Sequence, residues 1–143
     1  MANQSANHST YNTHYHIVFP IKYRKALLTP HISKAIVEIS HHIQERYDIT
    51  FENIGTDGDH IHILCSFKPS YSGSDVVRIF KSITARELFK QFPQLRKELW
   101  GGELWSDGYY LATVGEHGGI KQIHEYITNQ GKTETNHQLQ LFE

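Results

Sequence analysis

Two histidines one residue apart are the first residues here that could do chemistry. His60 and His62 lie in Asp59-His60-Ile61-His62-Ile63-Leu64-Cys65-Ser66-Phe67. The stretch alternates with the period of a strand, so both imidazoles project from one face while Asp59, Ile61, Ile63, Cys65 and Phe67 project from the other. Two neighbouring imidazoles would repel each other if both were protonated, and a shared divalent cation removes that repulsion. The plainer alternative is a pair of partly exposed strand histidines with no ligand. His14 and His16 repeat the spacing. They read either as a structural pair, with His16 behind the ligands, or as half of a four-histidine metal hydrolase site.

Other candidates depend on that pair. Ile120, Ile123 and Ile127 fall on one stripe of a helix, with Tyr126 on its flank and Gln130 one turn further along the same side. A tyrosine at such an edge ordinarily packs with its hydroxyl in water, and the two residues gain chemical meaning only beside a metal. Lys22-Tyr23-Arg24-Lys25 is the densest basic run and holds an aromatic ring. With Arg78, Lys81, Arg86 and Lys90 it could contact nucleic-acid phosphates; each could equally be a solvated charge.

The composition restricts how such contacts could work. Fourteen Lys and Arg against 15 Asp and Glu give a net charge of −1, far from the basic total of a non-specific DNA coater, so any nucleic-acid binding must be local. A chain of 143 residues with 38% hydrophobic content suits one compact domain. No stretch approaches the roughly 20 apolar residues of a membrane span, and the polar N-terminus lacks the apolar core of a signal peptide. A soluble, cytoplasmic protein is expected. Cys65 is the single cysteine and is expected to be buried and reduced.

The elements that must position these residues follow from periodicity and punctuation. His14 to Phe19 reads as a strand ended by Pro20. Pro30 opens a helix whose apolar positions, Ile32, Ala35, Ile36, Ile39 and Ile43, run to about Tyr47. Ile49 to Gly55 and Asp59 to Phe67 form a hairpin around Asp57-Gly58. Ser74 can cap a long helix with Val76, Val77, Phe80, Ile83, Leu88 and Phe92 on its stripe, ended or interrupted by Pro93. Tyr109 to Val114 is a fourth strand, the glycines Gly115, Gly118 and Gly119 form a hinge, and a last helix runs from about Ile120 to Gln130. The first six elements spell an α+β, ferredoxin-like βαββαβ antiparallel sheet, with both crossover helices on one face and the other left open. The expected organisation is a disordered tail over residues 1–10, one domain over 11–130 and a C-terminal tail over 131–143. A sheet of this kind with aromatics could also be a non-catalytic nucleic-acid-binding module, although that reading gives His60 and His62 no task.

Several segments together resemble a known family. Asp59-His60-Ile61-His62-Ile63-Leu64 is similar to the His-hydrophobe-His motif of the HUH nucleases. Tyr15 to Phe19 with Lys22-Tyr23-Arg24, Leu99-Trp100, Leu104-Trp105, Thr113-Val114-Gly115 and Tyr126-Ile127-Thr128-Asn129-Gln130 resemble, in the same order, the single-tyrosine HUH transposases of the IS two-hundred type, a grouping that takes in the REP-associated tyrosine transposases. The second helix departs from it, reading Lys81-Ser82 where relatives usually place a glycine after the lysine.

The resemblance implies a metal-dependent transposase that cleaves and rejoins single-stranded DNA near imperfect hairpins at element ends. His60, His62 and Gln130 would hold a divalent metal, magnesium or manganese. Tyr126 on the C-terminal helix would be the nucleophile, forming a 5′-phosphotyrosine. A homodimer is implied, its composite sites pairing one subunit's histidines with the other's tyrosine helix. A host-adopted relative that acts on chromosomal repeats would carry the same residues.

Overall fold

The computed structural model describes residues 4–6 and 9–114. Gly115, the expected C-terminal helix and with it Tyr126 and Gln130 lie outside the described residues.

A two-stranded ribbon of β1 (Gln4–Ala6) and β2 (Ser9–Tyr11) comes first, where the sequence suggested a structureless tail. Its backbone pairing, Gln4 with Tyr11 and Ala6 with Ser9, needs no apolar side chain and so left no hydrophobic pattern to read. The main sheet has four antiparallel strands: β3 (His14–Pro20), β4 (Ile49–Thr56), β5 (His60–Phe67) and β6 (Tyr110–Val114), in the order β4-β5-β3-β6. This is the ferredoxin-like arrangement, with the two long helices, α1 (Pro30–Arg46) and α2 (Gly73–Gln91), as its crossovers.

Each boundary has a local cause. Thr29 caps α1 by accepting from the Ile32 N–H, and Pro30 takes the first helical position, where its missing N–H costs nothing. Helix α2 is capped by Ser72, two residues before the Ser74 expected. The Ser72 hydroxyl accepts from Asp75 N–H while the Asp75 carboxylate accepts from Ser72 N–H, a reciprocal box that Ser74 could not form. Gly73 sits close against the Leu111 side chain of β6, whose end would have to shift to admit a Cβ there. Pro93 ends the helix, and a short α3 (Gln94–Glu98), not anticipated, follows it.

The core fills the space between the sheet and the two helices. From the sheet come Ile17, Phe19, Ile61, Ile63, Cys65 and Phe67; from α1 come Ile36, Ile39 and Ile43; from α2 come Val76, Val77, Phe80 and Leu88. Ile36 and Ile43 are fully buried, each contributing roughly 1.5–3 kcal/mol by removal from water. Cys65 is a free, buried thiol, and burial pushes its pKa far up. Trp105 is the largest anchor outside the helices: its indole N–H donates to the Thr84 hydroxyl at 2.9 Å, and its ring packs edge-on against Phe19. No helix among the described residues is long and apolar enough to cross a membrane.

Candidate active site

The register sets which residues share the sheet face turned away from the helices. Val18 pairs with His62 on one side and Tyr110 on the other; His16 pairs with Leu64 and Ala112; Pro20 pairs with His60. His14, His16, Val18, His60, His62, Leu64 and Tyr110 therefore lie on one face, as the period of two requires. The expected openness of this face does not hold for its centre. His60 is 3% exposed, and His14, His16 and His62 are 1% exposed.

The four imidazoles differ in what holds them. His60 Nδ1 lies 2.7 Å from Asp59 Oδ1, which fixes the proton on Nδ1 and leaves Nε2 as the lone-pair nitrogen. That Nε2 is buried and makes no hydrogen bond among the described residues, its nearest carboxylate oxygen being Asp57 Oδ2 at 3.9 Å. His62 sits edge-on to His60, with ring centroids 4.7 Å apart. His16 lies nearly parallel to His62 at 5.8 Å, and burial pushes its pKa down to about 4. An uncharged His16 can stack on His62 without repulsion.

His14 makes one hydrogen bond and has a carboxylate close to its other nitrogen, where hydrogen-bond geometry is lacking. Nε2 lies 2.8 Å from Asn12 Oδ1, and Nδ1 lies 2.7 Å from Glu52 Oε1. Glu52 reaches it because the register of β4 slips between Phe51 and Asn53, leaving Glu52 as an extra residue. No periodic pattern shows such a bulge, and Glu52 was missed in the sequence. Among the described residues, no group of three or more His, Cys, Asp or Glu could hold a metal. The four-histidine arrangement is thus not among the metal-holding groups of the described residues, and His14 belongs to a buried polar cluster with Asn12 and Glu52.

The basic residues separate into two regions. Lys22, Tyr23 and Arg24 form a single 3-10 turn at the exit of β3, tied to the histidine end by Ile21 N–H donating to the Asp59 carbonyl at 2.7 Å. Lys22 pairs with Glu103 at 3.1 Å, and Lys25 is exposed. Arg78, Lys81, Arg86 and Lys90 lie on α2, which packs on the opposite face of the sheet from His60 and His62. The Lys81 ammonium donates to the carbonyls of Ser106 at 2.6 Å and Gly108 at 3.0 Å and lies over the Phe19 ring, so it holds the Trp105 loop; desolvation lowers its pKa. Arg78 and Arg86 are exposed and paired with Asp75 and Glu87, and Lys90 is exposed.

Three other tyrosines lie in or beside the sheet, and of these Tyr15 stacks on Phe67 beside the core, its ring 4.2 Å away. Tyr109 lies near Lys81. Tyr110 shares the histidine face, 37% exposed, edge-on to His16.

A ferredoxin-like sheet presenting a His-x-His pair opposite its helices defines the class, and comparison with known proteins gives the family. The family profile described as "Transposase IS200 like" matches residues 9–130. The chain is 32% identical over 120 residues to the ISDra2 transposase TnpA of Deinococcus radiodurans, covering 84% of this chain and 85% of that one. It is 31% identical over 127 residues to the transposase for insertion sequence element IS200 of Salmonella typhimurium, covering 89% and 82%. A crystal structure assigned to a transposase of Deinococcus radiodurans R1 superposes with a TM-score of 0.71 at 30% identity, over 89% of this chain and 97% of that one. A REP-associated tyrosine transposase solved with a REP hairpin shares the fold, with a TM-score of 0.58 at 13% identity, over 89% and 72%. The chain belongs to the IS200-like transposase family, and its activity is that of a DNA-cleaving and rejoining enzyme.

Proposed function

We propose that this transposase acts on single-stranded DNA by transesterification, with Tyr126 as nucleophile and a divalent metal held by His60, His62 and Gln130. The observation that carries this is the His60 ring: Asp59 fixes one nitrogen, and the other is buried beside His62 with no hydrogen bond among the described residues. That is the preparation a metal-binding imidazole needs. Two imidazoles and an amide oxygen suit manganese better than magnesium, and either is expected to support activity. When bound, the ion supplies charge relief on a non-bridging phosphate oxygen.

The remaining steps belong to the chain. The Tyr126 oxygen attacks phosphorus, the phenol gives up its proton, and the bond to the 3′ oxygen breaks to leave a 3′-hydroxyl and a 5′-phosphotyrosine. A 3′-hydroxyl from another strand then attacks the same phosphorus and returns the phenol. One phosphodiester is exchanged for another, so no ATP is needed. The substrate would be an element end carrying an imperfect hairpin, a reading supported by the hairpin-bound relative of the same fold. The enzyme would work as a homodimer with shared sites.

Chelation and subunit mixing test this reading together. EDTA should stop cleavage of a labelled hairpin oligonucleotide, and manganese should restore it. His60→Ala mixed with Tyr126→Phe should regain part of the activity, since one of the two mixed sites keeps both functions. Full activity in chelator would remove the metal, and a monomeric mass by light scattering would remove the shared sites.

A further inference from the structure

Two large aromatic side chains stand in water at the edge nearest His60, where the proposed mechanism gives them no task. Trp100 is 84% exposed and Tyr23 is 54% exposed, and the Tyr23 hydroxyl donates to the Trp100 carbonyl at 3.2 Å. Exposure of single hydrophobic residues is ordinary, but two exposed aromatics on segments joined by a hydrogen bond from one side chain to the other's backbone are not. Tyr23 and the following Arg24 both adopt left-handed backbone, with φ of 61° and 52°. Such conformations are costly in bulky residues and persist where the surroundings enforce them. Here the enforcement is visible: Ile21 N–H is bound to the Asp59 carbonyl at 2.7 Å, Lys22 N–H to the Leu104 carbonyl at 2.8 Å, and Ser106 N–H to the Pro20 carbonyl at 3.1 Å. Beside Tyr23 is a recess of about 400 Å³ lined by Pro20, Ile21, Tyr23, Arg24, Ser106 and Gly108. That volume lies within the roughly 300–1,000 Å³ of small-ligand clefts.

We propose that Tyr23 and Trp100 form a stacking platform for an unpaired nucleobase of the DNA strand. The chemistry fits this occupant better than an apolar peptide. Tyr23 is flanked by cations in Lys22-Tyr23-Arg24-Lys25, and Lys25 is exposed. Lys22 is offset by Glu103 at 3.1 Å and Asp107 at 4.0 Å, so Lys25 is the charge placed for a phosphate. Aromatic faces beside cations are how proteins bind single strands whose bases are unstacked, and a duplex, with its bases already stacked, gains nothing from them. The position also matters: Pro20 is paired with His60, so a strand resting here is led to the histidine end of the sheet. The platform rests on the proposed single-strand activity and assigns to it residues that touch the substrate away from the reacting phosphate.

The test uses the full chain with three probes of equal length: oligothymidylate, a backbone of abasic residues and a blunt duplex. Wild type should bind oligothymidylate about 10-fold or more tighter than the abasic strand, as base stacking on one ring allows. Trp100→Ala and Tyr23→Ala should lose most of that preference while abasic affinity stays within about twofold; Tyr23→Phe, which keeps the ring, should retain it. Tryptophan fluorescence gives a direct readout, because Trp105 is 5% exposed and quenching by bases should come from Trp100. Quenching by oligothymidylate but not by the abasic strand is expected, and none in Trp100→Ala. Unchanged base preference in both alanine variants, with wild type still binding and cleaving single strands, would overturn the platform and leave the function standing. Wild type that does not bind oligothymidylate would overturn both. Variants that lose self-association but keep base preference would assign the patch to a second copy of the chain and overturn the proposal.

Discussion

His14-Tyr15-His16 and His60-Ile61-His62 have the same spacing, lie in neighbouring strands and point to the same face of one sheet, yet they are built for different work. His14 has Asn12 on Nε2 and the Glu52 carboxylate 2.7 Å from Nδ1, a close contact without hydrogen-bond geometry. His60 has Asp59 on Nδ1, while among the described residues its buried Nε2 makes no hydrogen bond and its nearest carboxylate oxygen is 3.9 Å away. The difference between the two pairs is thus the carboxylate that crowds the second nitrogen of His14 and stands back from that of His60, not the spacing or the burial. The comparison also shows why one pair can tolerate the other: burial lowers the His16 pKa to about 4, so a neutral His16 ring stacks on His62 without repulsion.

The largest effect expected is a reversal between the pairs. His60→Ala or His62→Ala should reduce DNA cleavage to background with soluble, folded protein. His14→Ala should instead leave cleavage measurable but destabilise the chain by about 1–3 kcal/mol, because the Glu52 carboxylate loses its buried partner. Parallel cleavage assays and urea titrations would show it. Equal loss of activity without loss of stability in His14→Ala would erase the distinction.

Next in size is the contribution of Asp59. Asp59→Ala should weaken manganese binding by about 10–100-fold, the usual consequence of losing such a support. Asp59→Asn, which still offers an acceptor to Nδ1, should recover part of it. Nitrogen-15 shifts of His60 in the metal-free chain would report the tautomer directly. An unchanged tautomer in Asp59→Ala would mean that something else holds the ring.

A smaller effect separates His16 from its neighbours. Its folded pKa of about 4 lies below the unfolded value near 6.5, so between those values the unfolded chain binds the extra proton. Stability from this group is therefore full above about pH 6.5 and declines as pH falls toward 4, by at most about 3 kcal/mol. Denaturant unfolding of the metal-free chain across that window should show a shallower decline in His16→Gln than in wild type. Identical slopes would mean that His16 is not held neutral.

The sequence carried the parts of this comparison that depend on periodicity. Alternation put Ile61 and Ile63 in the core and His60 and His62 opposite, and Pro30, Pro93 and the Asp57-Gly58 turn marked true boundaries. It failed where a contact between distant residues decides the outcome. The Glu52 bulge, the burial of the histidine face and the capture of Lys81 by Ser106 and Gly108 each join segments with no shared local pattern. Ser72 could have been read from its acidic partner three residues on, whereas Ser74 drew attention only as a plausible cap. Tyr126 and Gln130 rest on the family resemblance, and the described residues stop at Val114, before them.

The central claim is that Tyr126 forms the covalent bond to DNA, and peptide mapping of the protein–DNA adduct tests it most directly. Wild type incubated with manganese and a single-stranded hairpin substrate should give a protease fragment containing Tyr126 with the nucleotide attached, and Tyr126→Phe should give no adduct while still binding the hairpin. Tyr110 is the informative competitor, since it shares the face of His16 and is partly exposed. An adduct on the Tyr110 peptide, or wild-type cleavage by Tyr126→Phe, would contradict the account.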